Sequence, residues 1–514
     1  MKKGTPLCDK VLSDQTNTVT KEGVPMLNSI KYFEEDCINK FEELENEFLK
    51  HPEQIAEYVL GITQELHTLG LRMIQESLEM MDQMIFESPI RKRKWVVETR
   101  SRKQLITSLG TVHFQKTLYT NKESGDSKYL LDCLLGLCPH ERMTDDAKAN
   151  VLKEAVQSSY RRGGEEASLE TDVSKQTVKN LLHSLEFPTE PKKPEEKKEV
   201  EYLYIDADED HISKQFNQKK GDLVENENHQ KNNCMIAKLV YVYEGNEREA
   251  PKSKRHKLVN PYYFSRVCSG EANLKFWDEV YAYLDANYDL EKVKRIYVNR
   301  DGGGWIKAGM KRISGMTYAL DEFHLEKYLI KLTNHMLDEK DTARDELRRI
   351  IRKEAKKEFT EKVTELEEYQ RTPGGLKKME EAKEYILSNW TAAKIRLKHK
   401  DGLLGCSAEG HVSHVLSDRM SSRPMGWSVK GAANMVQLRA YERNGGDMLE
   451  LVRYQSRELP KAAGAESGII SSVQMLRAEK SRHGEIGKYV DAISHSLSLD
   501  TKKKVYFNVH IWGL

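Results

Sequence analysis

The chain has few cysteines, and none of them are paired at the spacing that metal or redox motifs require. Its seven cysteines are scattered through 514 residues, their number is odd, and no C-x-x-C occurs. A zinc ribbon and a disulfide framework both depend on paired cysteines, so the sequence argues against both classes. We therefore predict a protein of a reducing cytoplasm.

Long apolar runs are also missing. No stretch approaches the roughly 18 residues that cross a bilayer, and the first ten residues lack the apolar segment of a signal peptide. Charged residues make up 32% of the chain and hydrophobic residues 38%, which is typical of a soluble globular protein with solvated helices. We expect no membrane partner.

The chain also has almost no excess of positive charge, because its 82 Lys and Arg are balanced by 81 Asp and Glu. Net charge therefore does not indicate nucleic acid, and only local clusters can do so. A basic cluster occurs at residues 91–103, where seven of thirteen residues are Lys or Arg. It follows a segment, about residues 31–87, whose helical spacing of apolar residues predicts packing helices, with a dimer-forming helical arm as the alternative.

The chain is too long for one hydrophobic core, so we expect three or four structural units. Residues 105–121 are β-branched and aromatic with a break at Gly110, which predicts a small hairpin. Residues 188–199 hold three prolines and almost only charge besides, which is typical of a linker.

Between these two segments the string SYRRGGEEASLETDVSKQTVKNLLHSLE resembles a helix-turn-helix, with a plain helical hairpin as the alternative. Ser174 is the expected N-cap of its second helix. The apolar residues expected to face inward are Val178, Leu181 and Leu182. The residues expected to face the major groove of DNA are Lys175, Gln176 and Lys179.

After the linker the pattern changes to that of a sheet domain. Residues 202–206, 235–244 and 294–299 are strand-like, and residues 276–288 form an amphipathic helix before the last of them, which indicates an α/β or α+β domain. Residues 325–400 are helical and rich in charge. They predict a solvated helical pair that turns at residues 372–375.

Carboxylates occur where two-metal phosphodiester chemistry needs them, on different elements and beside strand ends or glycines. In YIDADEDH, Asp206, Asp208 and Asp210 share one face of an extended strand. Three like charges on one face are costly unless a cation lies among them. In YVNRDGGGWIK a strand leads into Asp301, and the glycines after it permit close approach of a phosphate backbone.

A third carboxylate stands in SAEGHVSHVLSDRMSSRPMGW, where Glu409 opens a predicted helix that continues through Leu416. Downstream of it, Arg419 and Arg423 are suited to bind phosphate oxygens.

Four strings occur in a specific order: ADEDH, DGGGWIK, LDEFHLEKY and CSAEGHVSHVLSDRMSSRPMGWS. Together they resemble a bacterial insertion-sequence family that belongs with the Mutator-like group of DDE transposases and was long described only as an uncharacterised protein family. The resemblance covers roughly residues 100–446. It implies an α/β fold with an RNase H-like catalytic core and a helical insertion before the catalytic glutamate. We expect a helical and helix-turn-helix DNA-binding region before that core.

Carried over to this sequence, the resemblance implies that Asp208, Asp301 and Glu409 are the catalytic acids and hold Mg²⁺, with Mn²⁺ able to substitute. Asp206 is the alternative first acid, because the related Mutator pattern of strand-Asp-Ala selects it and periodicity does not separate the two. Asn299 and Arg300 precede Asp301 where we expect a small residue and an acid-glycine turn.

The spacing Asp321-x-x-His324 matches a motif of the Mutator group, for which holding DNA or the active-site strand is the expected role. The residues of this associated motif are Asp321, His324, His411 and His414. A rival interpretation combines these residues with Cys406 in a structural zinc site.

The expected domains are an N-terminal helical region (1–90), a DNA-binding region (91–187), the linker (188–199), the first part of the RNase H-like core (200–324), the helical insertion (325–400), the helix of the catalytic glutamate (401–445) and a C-terminal region (446–514). The expected DNA-binding residues are Arg91, Lys92, Arg93, Lys94, Lys175, Gln176, Lys179, Arg419 and Arg423.

The function implied is DNA transposition, with cleavage at the ends of an insertion sequence and strand transfer into target DNA. Its partners would be the terminal inverted repeats, the target DNA and further copies of the chain in a homodimer or larger synaptic assembly, associated with the nucleoid in the cytoplasm. Two alternatives remain: an RNase H-like host nuclease, and a non-catalytic DNA-binding protein derived from a transposase.

Overall fold

The computed structural model describes residues 28–189, 194–457 and 474–475, except residues 217, 226–228, 230, 254, 301–303, 308, 310–311, 400–401 and 424. Contacts divide the chain into two compact units. Of the described residues, the first contains those within 28–147, 168–171 and 474–475, and the second contains those within 148–167, 172–189 and 194–457. In the second unit, the helical insertion and the central sheet share one core.

The first unit packs helices against a three-stranded antiparallel sheet of order β1-β2-β3. Its strands are β1 (Trp95–Ile106), β2 (Thr111–Asn121) and β3 (Ser127–Tyr129). Its helices are α1 (Asn28–Tyr32), which a π-helical turn (Phe33–Cys37) joins to α2 (Ile38–Lys50), then α3 (Ile55–Glu87), α4 (Pro89–Lys94) and α5 (Leu130–Leu135). Leu78 and Ile85 of α3 share a buried core with Trp95 and Phe114 of the sheet. The predicted packing of helices in this region is confirmed.

The hairpin of the first unit is longer than the sequence predicted. The basic segment 91–103 lies partly in α4 and partly in β1, and β1 pairs with β2 from Trp95 opposite Asn121 onward. Trp95 and Leu105 are buried at the two ends of β1, while the charged side chains between them are mostly exposed. The charges on the exposed face conceal the strand pattern.

Three helices follow α5 along the chain: α6 (Asp145–Ala155), α7 (Tyr160–Glu165) and α8 (Lys175–Ser184). Ser174 is the N-cap of α8, as predicted, because its side chain accepts a hydrogen bond from the backbone N–H of Thr177. Val178 and Leu182 are buried and Leu181 is half-buried. A Cβ on Gly164 of α7 would lie 2.0 Å from the carbonyl oxygen of Val173, so the packing of α7 on the turn before α8 requires glycine. The predicted DNA-binding region 91–187 is divided, since the hairpin belongs to the first unit and α7 and α8 to the second.

The second unit is built on a mixed sheet of five strands in the order β10-β7-β4-β11-β12. The strands are β4 (Tyr202–Ser213), β7 (Cys234–Tyr243), β10 (Tyr262–Val267), β11 (Arg295–Arg300) and β12 (Met316–Leu320), with two small pairs beside them, β5 (Val224–Glu225) with β6 (Lys231–Asn232) and β8 (Gly245–Arg248) with β9 (His256–Val259). β4, β7 and β10 are antiparallel neighbours, whereas β11 runs parallel to both β4 and β12. The predicted α/β character and the three predicted strands are confirmed; β10 and β12 were not predicted.

Further helices of the second unit follow along the chain. They are α9 (Ala272–Asn287), α10 (Gly304–Lys307), α11 (Glu322–Thr333), α12 (Lys340–Arg352), α13 (Lys356–Glu368), α14 (Pro373–Ser388), α15 (Trp390–Lys398), α16 (Ala408–Val412), α17 (Asp418–Met420), α18 (Val429–Arg443) and α19 (Met448–Arg457). The helix predicted to begin at Glu409 is α16, which begins one residue earlier, at Ala408. A π-helical turn (Ser413–Ser417) joins α16 to α17. α8 packs on α18, where Asn434 Nδ2 donates to the carbonyl oxygens of Leu182 at 2.8 Å and Leu185 at 3.1 Å.

The helical insertion is part of the core of the second unit. Leu347 of α12, Phe359 of α13 and Ile386 of α14 are buried in one continuous cluster with Leu203 of β4 and Val298 of β11. The prediction of a solvated helical pair is wrong, because the many charges on the outward faces obscured the apolar face of each helix. Residues 372–375 are the beginning of α14, with Thr372 as its N-cap.

Within the ranges that the structure describes, every helix is too short or too polar to cross a membrane.

Candidate active site

The three carboxylates on one face of β4 differ in their surroundings. Asp206 is fully buried, whereas Asp208 and Asp210 are half-buried. Asp208 Oδ1 accepts a hydrogen bond from the backbone N–H of Glu209 at 2.8 Å. The strand thus passes from the core to a more accessible position within these residues, and Asp208 is the first of the three carboxylates that is not enclosed.

The segment that carries Glu409 lies against this face of β4. The backbone N–H of Ser407 donates to Asp206 Oδ2 at 3.0 Å, and the hydroxyl of Ser417 donates to Asp210 Oδ2 at 3.1 Å. These two hydrogen bonds fix both ends of the segment along the strand. Glu409, in the first turn of α16, is exposed. Asp208 lies between the two bonded positions on the same face of the strand.

Asp206 is surrounded by hydrogen-bond donors. Tyr241 and Tyr243 donate their hydroxyls to its two oxygens at 2.8 and 3.1 Å, and Asn299 Nδ2 donates at 2.7 Å. Burial raises the pKa of Asp206, and hydrogen bonds from Ser407, Asn299 and the tyrosines oppose that rise. A carboxylate accepts about four hydrogen bonds, so the lone pairs of Asp206 are already occupied. Asp206 therefore has little capacity left to accept a further bond.

Asp301 lies outside the described residues, but the strand that leads to it is described. In β11, Asn299 is paired with Asp206 and Arg300 is paired with Ala207 of β4. In the sequence, the residue after Arg300 is Asp301 and the residue after Ala207 is Asp208.

Two of the three acids that the resemblance implies as Mg²⁺ ligands are described, Asp208 and Glu409. Mg²⁺ prefers carboxylate oxygens, and Asp208 and Glu409 are carboxylates on neighbouring segments that are not fully buried. Among the residues that the structure describes, no three His, Cys, Asp or Glu side chains form a group that could hold a metal ion. Asp301, the third predicted ligand, is not among those residues.

The Asp321-x-x-His324 motif lies at the same edge of the sheet. Asp321 is the N-cap of α11, and its Oδ2 is 2.8 Å from His324 Nδ1. It directly follows β12, whose last residue, Leu320, is paired with Arg300 of β11. A carboxylate-oriented imidazole therefore stands beside the strand end that precedes Asp301.

The rival zinc interpretation has no support in the described residues. His411 Nδ1 is 3.0 Å from the Tyr263 hydroxyl, and burial lowers the pKa of His411 to about 4. His414 is exposed and lies 3.4 Å from Asp418. These histidines have separate partners, and the described chain does not gather them into a metal site.

Two arginines expected to contact DNA are buried. Arg91 is only 5% exposed, its Nη2 donates to the carbonyl oxygen of Phe86, and its guanidinium lies 5.3 Å from the Tyr119 ring centroid. The prediction of a DNA contact is wrong for Arg91, because the end of α3 uses this side chain to satisfy its last carbonyl groups.

Arg419 is the second of these corrections. It is 5% exposed, its Nε donates to the carbonyl oxygen of Ala155 at 3.1 Å, and its guanidinium stacks 4.9 Å from the Trp427 ring centroid. Burial lowers the pKa of Arg419 to about 10. The other predicted DNA-binding residues are exposed: Lys92, Arg93, Lys94, Lys175, Gln176, Lys179 and Arg423.

Sequence reasoning missed the residues that surround Asp206. Asn299 was noted only as a departure from the expected loop, although a polar side chain in an otherwise apolar strand signals a buried hydrogen bond. Tyr241 and Tyr243 carried a similar signal, since a tyrosine buried in a core strand needs a partner for its hydroxyl.

The fold defines a mixed α/β protein whose central strand β4 carries the buried Asp206 and the half-buried Asp208. The sequence model of the Uncharacterised protein family (UPF0236) matches residues 49–458, and the chain belongs to this family.

Relatives of the chain span similar lengths. A UPF0236 protein of Caldanaerobacter subterraneus subsp. tengcongensis is 36% identical over 431 residues, which cover 84% of this chain and 85% of the relative. A second one from the same organism is 35% identical and covers 86% of each chain. A protein of Streptococcus gallolyticus, named as a UPF0236 protein in the vanSb 3′ region, is 25% identical over 77% of this chain and 84% of the relative. The name of the first relative joins eleven locus designations of one genome.

Proposed function

We propose that the chain is a metal-dependent DNA transposase that cleaves the ends of an insertion sequence and joins the freed 3′-hydroxyls to target DNA. One observation carries the proposal: β4, the end of β11 and the segment before α16 all meet at the carboxylate of Asp206. In the sequence, each of the three positions that meet there is followed two residues later by a predicted acid: Asp208, Asp301 or Glu409. Three segments that are far apart along the chain therefore meet at one residue.

The topology of the sheet supports an RNase H-like core. Such a core has three antiparallel strands in succession, then a helix and two parallel strands beside the first. Here β4, β7 and β10 are the antiparallel strands, α9 follows, and β11 and β12 complete the order β10-β7-β4-β11-β12. The helical insertion then precedes the helix with the last predicted acid, as the resemblance implies.

In this function Asp208, Asp301 and Glu409 would hold Mg²⁺, with Mn²⁺ able to substitute. Bound there, the ions would supply activation of the attacking oxygen and stabilisation of the charge on phosphoryl and leaving oxygens. In this function the hydrogen bonds to Asp206 would hold the segments that lead to these acids. Asp321 contacts the His324 imidazole at the same sheet edge, where it would bind DNA or the active-site strand. No covalent protein–DNA bond is required, unlike the reactions of tyrosine or serine recombinases.

The distribution of relatives also supports a mobile element. A protein whose name joins eleven loci of one genome is present there in many copies, as expected for a gene that is copied by its own product. A chain with this activity acts on the chromosome, so we expect it to be associated with the nucleoid.

The test is an assay of cleavage and joining with DNA that carries the sequences flanking the gene. We expect 3′-cleavage at inverted repeats in Mg²⁺, followed by joined products. Cleavage without joining would identify the alternative host nuclease, and binding without cleavage would identify a non-catalytic DNA-binding protein.

We assign DNA-end recognition to α7 and α8 as a helix-turn-helix. The exposed residues of α8 include Lys175, Gln176 and Lys179. The helix itself packs on α18. Replacing both lysines by alanine is expected to lower the slope of log K against log salt by about 0.9 for each phosphate that a lysine neutralises. Gln176→Ala should lower discrimination between end and random DNA more than it lowers total affinity.

Binding titrations with end DNA and random DNA at several salt concentrations measure this slope and this discrimination. The control is Lys357→Ala, a lysine of α13 whose side chain is 92% exposed and which should leave the slope unchanged. If the double variant keeps the wild-type slope, α8 does not bind the DNA backbone.

We further propose that α3 joins two copies of the chain in a homodimer or larger synaptic assembly. Val59, Leu66 and Met73 are spaced by seven residues on this long helix and are 55%, 53% and 49% exposed. Apolar residues at heptad spacing favour packing against another helix. Leu66→Glu is therefore expected to convert the assembly to monomers in sedimentation experiments, whereas Gln64→Glu, an exposed change on another face, should not. A Leu66→Glu protein with wild-type mass would contradict this role of α3.

A further inference from the structure

The carboxylate of Asp206 connects three segments of the proposed site. It is itself part of β4, it accepts from Asn299 Nδ2 at the end of β11 at 2.7 Å, and it accepts from the backbone N–H of Ser407 before α16 at 3.0 Å. A proposed metal ligand follows two residues after each of these three positions. Those ligands are Asp208, Asp301 and Glu409.

We infer that Asp206 is a positioning residue that fixes the three ligand-bearing segments relative to one another. The inference rests on the proposed function and deepens it, because it separates a carboxylate that holds the segments from the carboxylates that hold the metal. Asp206 has no exposed surface, and both of its oxygens accept hydrogen bonds from the protein. It touches neither substrate nor metal in this assignment and acts through its neighbours.

The hydrogen bonds also fix the orientation of Asn299. Arg396 of α15 donates through Nη2 to Asn299 Oδ1, so the amide nitrogen of Asn299 must face Asp206. The same guanidinium donates through Nε to the carbonyl oxygen of Leu320 and through Nη1 to that of Leu404, each at 2.7 Å. The last helix of the insertion therefore closes the network around the ends of β11 and β12 and the segment before α16.

Two single substitutions separate positioning from simple packing. Asn299→Ala and Tyr243→Phe each remove one donor to the same oxygen, Asp206 Oδ1. Only Asn299 lies on a segment with a proposed ligand. Removing a hydrogen bond that orients the ligands of a metal typically weakens metal affinity about 10- to 100-fold, so this effect is expected for Asn299→Ala alone.

The experiment measures Mn²⁺ binding by electron paramagnetic resonance on the full-length protein, together with the midpoint of thermal unfolding without metal. We expect Asn299→Ala to bind Mn²⁺ at least about tenfold more weakly while still folded, and Tyr243→Phe to bind it as the wild type does. Asp206→Asn places the NH₂ group of an amide among groups that donate hydrogen bonds to Asp206. This variant should therefore lower both the Mn²⁺ affinity and the midpoint of thermal unfolding. The exchange Asp206→Asn with Asn299→Asp restores one carboxylate facing one amide and should recover most of both.

Several outcomes would overturn the inference. If Asn299→Ala and Tyr243→Phe both bind Mn²⁺ normally and only unfold at lower temperature, the role is merely structural. If Asp206→Asn loses Mn²⁺ binding with an unchanged unfolding midpoint, and the exchange does not restore binding, Asp206 is itself a ligand. A wild-type protein that binds no Mn²⁺ overturns the proposed function and this inference with it, whereas failure of the variants alone leaves the proposed function standing.

Discussion

Replacing Glu409 by glutamine is expected to abolish Mg²⁺-dependent DNA cleavage while DNA binding changes by no more than a few-fold. The substitution keeps the size of the side chain and removes one negative oxygen from the proposed ligand set. Loss of a metal ligand should cost several kcal/mol of transition-state stabilisation, and each 1.36 kcal/mol corresponds to a tenfold loss in rate. We therefore expect a decrease of roughly a thousandfold or more.

The measurement is single-turnover cleavage of end DNA, with binding measured in parallel. Glu358→Gln is the matched control, because Glu358 is also an exposed glutamate in the first turn of a helix, α13. Asp301→Asn should behave as Glu409→Gln does. If both variants retained Mg²⁺-dependent cleavage, the proposed ligand set would be wrong.

Arg419→Ala is expected to lower the free energy of unfolding by roughly 3–5 kcal/mol, within the range of large-to-small changes at buried sites. The arginine fills space between Tyr160 and Trp427, and its Nε satisfies the carbonyl oxygen of Ala155. Removing it creates a cavity beside two aromatic rings and leaves a buried acceptor without its partner.

Arg423→Ala is the control for this test. Arg423 is exposed, so its loss should change stability by less than about 0.5 kcal/mol and should instead weaken DNA binding. Chemical denaturation and DNA titration of the two variants measure both quantities. Equal stability of the two proteins would show that Arg419 does not support the fold.

Some elements could be predicted because one physical signal dominated their sequence. Residues 235–244 are a nearly continuous apolar run, and β7 (Cys234–Tyr243) is buried along almost its whole length. Ser174 stands before a helical pattern and caps α8. The N-terminal helices show apolar spacing over many turns, and α3 extends for 33 residues.

Other elements were missed because their signal is divided between distant residues. β1 carries charge on its exposed face, and its place in the core is set by pairing with β2 rather than by its own pattern. The insertion helices are so rich in charge that their buried faces, such as Leu347 and Ile351 of α12, did not stand out. Charge density indicates a solvated face but says little about the opposite one.

The site was predicted as a set of acids but not as a network. The repeated aspartates on one strand face were visible in YIDADEDH, yet only the fold distinguishes an enclosed Asp206 from a more accessible Asp208. The partners that enclose Asp206 are far away along the chain, at Tyr241, Asn299 and Ser407. Local spacing carries no information about such hydrogen bonds, which depend on strand order and register.

The most direct test of the central claim is a crystal structure of the full-length protein with Mn²⁺, in which anomalous scattering locates the ions. Ions held about 3.5–4 Å apart need flanking carboxylates within one small cluster. We predict anomalous peaks between the carboxyl groups of Asp208, Asp301 and Glu409, with these groups within roughly 4–8 Å of one another. A structure with Glu409 more than about 15 Å from Asp301, and with no Mn²⁺ at either side chain, would contradict the two-metal site.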